Sequence, residues 1–182
     1  MKNGITKQEK GTGPAKDISN SKTPGLSVGN AKYEFSGEKR EHNGAYVWQI
    51  KHSVSGKLGG WIAQEHNLSY RGTCWVHDEA IVCGQARVTG GSTVADNAIV
   101  SGNAKVSDLS TVTGSASVAD NANILGDACV SGNARVGGNV QISGGWVEGT
   151  AEVAGTARVF GLATVYGEAK VTGGAIYGNA KI

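Results

Sequence analysis

Val100-Ser101-Gly102-Asn103-Ala104-Lys105 is followed by Val106-Ser107-Asp108-Leu109-Ser110-Thr111 and Val112-Thr113-Gly114-Ser115-Ala116-Ser117. Each hexad opens on valine, bends at a glycine or aspartate two residues later and places a small side chain at its fifth position. Worked outward, the pattern runs through Val82, Val88, Val94, Val100, Val106, Val112, Val118, Ile124, Val130, Val136, Ile142, Val147, Val153, Val159, Val165, Val171, Ile176 and Ile182. Only the steps Ile142 to Val147 and Val171 to Ile176 are five residues, and each contains a Gly-Gly pair that can turn a tighter corner without losing register.

A period of six is neither the period of two of a strand nor the 3.6 of a helix. It fits a short strand plus a corner. The branched residue at position i and the small one at i+4 point inward, i+5 and i+1 point outward, and the Gly, Asp and Asn residues at i+2 and i+3 supply left-handed backbone angles. Three hexads close a triangular coil, and stacked coils pair their strands in parallel. The predicted fold is therefore all-β, a single-stranded parallel β-helix of about six triangular coils, roughly 29 Å long at about 4.8 Å per strand spacing.

Two stretches carry a resemblance to a known family. The hexad Val100 to Lys105 resembles the hexapeptide repeat of left-handed β-helix proteins, and Gly56-Lys57-Leu58-Gly59-Gly60-Trp61-Ile62-Ala63-Gln64-Glu65-His66-Asn67-Leu68-Ser69 resembles the cap preceding the repeats in YdcK-like proteins of phages, prophages and bacteria. The usual cap reads Gly-Asp-Leu-Gly-Gly-Trp-Ile-Glu; here Lys57 and Ala63 replace its acidic residues. The resemblance covers Tyr33 to Ile182. It implies a left-handed coil, an exception to the right-handed crossover rule, and a phage or prophage origin. It leaves activity open, because trimeric acyltransferases share the coil.

The chain divides into a flexible basic arm (1–30), a hairpin and cap (31–69) and the β-helix (70–182). The hairpin is read from Tyr33-Glu34-Phe35 and Tyr46-Val47-Trp48-Gln49-Ile50-Lys51 around Asn43-Gly44. It covers the first coil, whose strand edges and apolar side chains would otherwise face water. Charge follows the same division. Residues 1–60 carry ten Lys or Arg against five acidic residues, whereas residues 82–182 carry six against seven. A nearly neutral rod is neither a nucleic-acid groove nor a DNA mimic. No apolar run is long enough to span a membrane, and Met1-Lys2-Asn3-Gly4-Ile5 lacks the apolar core of a signal peptide, so the host cytoplasm or a virion is the expected location.

Stacking the hexads by threes assigns every outward residue to a face. The first face carries Arg87, Lys105, Asn123, Gln141 and Arg158; the second Thr93, Thr111, Cys129, Trp146 and Thr164; the third Ile81, Ile99, Ser117, Arg135, Glu152 and Lys170. None is a column of catalytic groups, and the first reads as a solvated polar ladder. Cys74 is inward, Cys83 and Cys129 outward, and an odd count without ligand spacing indicates reduced thiols and no metal site.

Hexapeptide acyltransferases use a coil histidine as base. Here His42, His52, His66 and His77 all precede the first complete coil. The expected function is thus a non-catalytic structural or interaction protein without cofactor, with the arm anchoring it to sister subunits or an assembly. An acyltransferase using acyl-CoA is the alternative, with His77 as its base and against the expectation of neither turnover nor tight acetyl-CoA binding. A further alternative is an inhibitor of a host enzyme or defence complex. Ile81, Ile99 and Trp146 on the sides, with Ile176, Tyr177 and Ile182 at the last coil, are the expected contact residues. They point to a homo-oligomer, and the resemblance to coils that are commonly trimeric implies a trimer before other states, with a virion or host protein as a further partner.

Overall fold

A computed structural model describes residues 32–182, so the arm read over 1–30 lies outside the described residues. The chain is a left-handed parallel β-helix of about six triangular coils capped by an antiparallel hairpin. Strands β1 (Tyr33–His42) and β2 (Ala45–His52) form the hairpin, and β2 pairs antiparallel with β3 (Leu58–Ile62). From β3 onward the pairing is parallel: Trp61 and Ile62 align with Ile81 and Val82. A nine-stranded sheet therefore runs unbroken from the hairpin down the third face.

The inward ladders follow the period. Val82, Val100, Val118, Val136, Val153 and Val171 stack on the third side, and Val76, Val94, Val112, Val130, Val147 and Val165 on the second. Val88, Val106, Ile124, Ile142, Val159 and Ile176 stack on the first. All are buried, with the alanines at i+4 filling the space between them. Burying each branched side chain contributes about 1.5–3 kcal/mol, which sustains strands that are mostly two residues long. Parallel pairing reaches above residue 70: Leu68 bridges to Val88 and Val76 pairs with Val94, giving an irregular first turn from Ile62 to Val76.

Where serine replaces alanine inside, its hydroxyl is satisfied. Ser92 Oγ donates to Thr89 O at 2.7 Å, and Ser110 Oγ to Ser107 O at 2.6 Å. Left-handed angles fall at i+2 in the six-residue hexads, as at Gly102 (φ 65°) and Asp120 (φ 58°), and not at i+3. In the first short step both Gly144 and Gly145 are left-handed, and Gly145 takes the inward small-residue place. The deleted residue comes from the corner. One strand, Gln141–Val147, runs through that bend, so the first and second faces merge into one ten-stranded sheet.

The cap explains its own sequence. A Cβ on Gly59 would lie 2.7 Å from Val76 O and 2.8 Å from Ile50 Cγ1; one on Gly60 would lie 2.7 Å from Ala80 O and from Val76 Cγ1. Only glycine lets β3 cross that close to the first turn. Trp61 follows, with the Arg40 guanidinium 4.2 Å from its ring centroid, and Arg40 also pairs with Glu79. A 3-10 turn, Glu65–Asn67, ends the cap: buried Asn67 accepts from Gln64 N–H through Oδ1 (2.8 Å) and donates through Nδ2 to Gly84 O (3.1 Å) and Ala86 O (2.8 Å).

Candidate interaction surfaces

The three outward faces have the membership the period assigns. Arg87, Lys105, Asn123, Gln141 and Arg158 are aligned on the first, Thr93, Thr111, Cys129, Trp146 and Thr164 on the second, and Ile81, Ile99, Ser117, Arg135, Glu152 and Lys170 on the third. Glu152 and Lys170 form an exposed pair at 3.5 Å, worth less than about 1 kcal/mol. At the corner beside the third face, Asn103 donates to Asn121 (3.0 Å) and Asn121 to Asn139 (3.1 Å), a ladder that ties successive coils.

Two of the expected contact residues are not exposed in the single chain. Ile81 is outward but only 6% exposed, because the cap extends the third face upward and sets Trp61 above it, with Ile99 below. Ile99 itself is half-buried. Ile176 is 7% exposed, since its inward place in the ladder under Val159 holds even in the last coil. The upper part of the third face therefore offers little apolar surface.

Exposed apolar side chains occur along the whole described chain, with Tyr46, Val54 and Leu58 in the hairpin and cap and Leu109 at an upper corner, and a further group lies on the lower coils. Trp146 is 41% exposed, Leu162 58%, Tyr177 70%, and Tyr166 and Ile182 about half. Trp146 stands low on the second face, paired with Cys129 above and Thr164 below. Leu162 and half-buried Phe160 sit at the corner leading into that face, and Tyr166 at the corner leaving it. Leu162 and Tyr166 lie four residues apart, about 13 Å along a strand.

Period reasoning singled out Trp146, Tyr177 and Ile182 but missed Leu162, Phe160 and Tyr166. For Phe160 and Tyr166 a signal was present. The outward i+1 position is small in most hexads, as at Thr89, Ala95, Ser101, Ser107, Thr113, Ala119 and Ser131, and turns aromatic at Phe160, Tyr166 and Tyr177.

The thiols and histidines take ordinary places. Cys74 is buried, donating weakly to backbone carbonyls. Burial pushes the thiols of Cys83 and Cys129 above their usual range. His66 approaches Gly84 O at 3.2 Å in the cap turn. His77 lies beside Trp75, with ring centroids 6.5 Å apart, and burial holds its pKa below the usual value, opposed by nearby Asp78. Among the described residues no group of three or more His, Cys, Asp or Glu could hold a metal ion, and no helix is long and apolar enough to cross a membrane.

Compared with known proteins, the chain matches no family model and no curated sequence.

Proposed function

We propose that this protein is a non-catalytic β-helical rod that works by presenting the lower part of its second face to other protein chains, and that it assembles with copies of itself, as a trimer. The observation carrying this reading is Trp146, exposed in a ladder otherwise made of threonine and cysteine, with exposed Leu162 at the corner leading into the same face one coil on. Exposed apolar patches mark interaction sites, and within an interface tryptophan and tyrosine side chains carry much of the binding energy. A role in a phage or prophage assembly rests on the likeness of Gly56 to Ser69 to the YdcK-like cap.

Leu109 and Leu162 occupy the same corner position three coils apart in sequence order, and both are exposed in the single chain. Hydroxyl-radical footprinting at micromolar concentration compares them directly. The proposal expects Leu162 and Trp146 to be protected while Leu109 stays reactive; labelling of all three in proportion to their single-chain exposure would contradict it.

One observation favours a second reading, acyl transfer from acyl-CoA. Burial lowers the pKa of His77, which favours the neutral imidazole, the form able to accept a proton. Thiol release from acetyl-CoA, abolished by His77→Ala, would establish that reading in place of the first.

A further inference from the structure

Beside the cap, Lys32, His52, Lys57, Thr73, Trp75 and His77 line a groove of about 440 Å³. Its chemistry is one-sided. Two ammonium groups and two imidazoles line it together with the Ser55 and Thr73 hydroxyls, and among the described residues no carboxylate does. Lys32 is fixed in place: its Nζ donates to Cys74 O at 2.8 Å and lies 3.2 Å from Cys74 Sγ, holding a cation at the groove wall. His52 is oriented as well. Its Nδ1 accepts from the backbone N–H groups of Val54 (3.4 Å) and Ser55 (3.3 Å), which places the ring proton on Nε2 and leaves that N–H as a donor.

Trp75 lines the groove as well. Its indole packs edge-on to Tyr33, with His52 and His77 inclined to it at 5.7 and 6.5 Å between centroids, and it remains partly open. A half-open indole ringed by cations and hydrogen-bond donors suits a ligand with a flat ring face and a doubly charged anion. The groove volume suits a small molecule of one or two rings.

From this arrangement we infer that the cap groove binds a phosphate monoester carried on a ring, with the phosphate between Lys32 and Lys57 and the ring against Trp75. Nucleoside monophosphates and sugar phosphates both supply that chemistry. The site is independent of the lower second face, and its occupancy requires no turnover.

Calorimetric titration of the full chain with adenosine 5′-monophosphate and, separately, with glucose 6-phosphate tests the inference. The expected result is a Kd in the range of about 0.1–1 mM for at least one ester, which identifies the ring class. Adenosine, glucose and inorganic phosphate should each bind at least tenfold more weakly. Lys57 is exposed, so Lys57→Gln should fold normally and weaken the ester at least tenfold, whereas Lys105→Gln, on the first face, should leave it unchanged. Absence of saturable binding of either ester up to 10 mM (about 2.7 kcal/mol), an unaffected Lys57→Gln variant, or inorganic phosphate binding as well as the esters would overturn the inference.

Discussion

Asp120 accepts a hydrogen bond from the backbone N–H of Gly138, one coil below, at 2.7 Å through Oδ2. The contact recurs wherever aspartate holds the left-handed corner position above glycine: Asp96 accepts from Gly114 N–H at 2.8 Å and Asp108 from Gly126 N–H at 2.9 Å. Aspartate tolerates the positive φ and its carboxylate satisfies a corner amide of the next coil. Asp120→Ala loses both advantages and should destabilise the rod by about 1.5–3 kcal/mol, whereas Asp120→Asn, which keeps an acceptor and the backbone preference, should cost less than about 1 kcal/mol. Thermal melts of the two variants check the order; equal melting temperatures would contradict the role given to the carboxylate.

The glycine pair of the cap makes a sharper demand. Gly60→Ala sets a Cβ 2.7 Å from Ala80 O and 2.8 Å from His77 O, backbone atoms that cannot move without displacing the first turn. A loss of at least about 2 kcal/mol is expected. Gly56→Ala, by contrast, meets nothing within 4 Å, and at its φ of 68° should cost only about 1–2 kcal/mol of backbone strain. Denaturant midpoints of the two variants separate close approach from strain.

The inward register is tested at its middle. Val118 is fully buried between Val100 and Val136. Val118→Asp buries an unpaired carboxylate at a cost of several kcal/mol and should abolish cooperative melting. Asn123→Ser, on the outward first face, should leave the melt within about 0.5 kcal/mol of the parent. A Val118→Asp protein melting like the parent would contradict the register.

How much of this was legible follows from what a period can encode. Face membership was readable down to Arg158 and Thr164 because stacking by threes is a consequence of a closed triangle. The short steps were also readable, because a Gly-Gly pair stands where a corner residue is missing. The burial of Ile81 was not: it depends on β3 lying directly above, and the antiparallel hairpin obeys no sixfold rule. The cap groove was hidden for the same reason, since it joins Lys32, His52, Lys57 and Trp75 from the hairpin and the irregular first turn. The lower apolar surface lay between these cases. Trp146 stood out within its ladder, while Phe160 and Tyr166 required comparison of every i+1 residue.

The outward thiols carry a pH prediction. Burial raises the pKa of Cys83 and Cys129, so less thiolate, the reactive form, is present near neutrality than for a free cysteine, itself only about 3% ionised at pH 7. Maleimide labelling of the native protein at pH 7 should be slower than that of a model thiol. It should accelerate as pH rises through and beyond the ordinary cysteine range. Rapid labelling of either residue at pH 7 would mean that the thiolate is stabilised rather than suppressed.

The central claim, that the lower second face joins copies of this chain, is tested most directly by light scattering on the full protein at micromolar concentration beside a Trp146→Ser/Leu162→Ser double variant. Both positions are outward and exposed, so the variant should fold as the parent does. The account predicts three times the 18.6 kDa chain mass for the parent and a single-chain mass for the variant. A parent that stays at 18.6 kDa, or a variant whose mass equals that of an oligomeric parent, would contradict it.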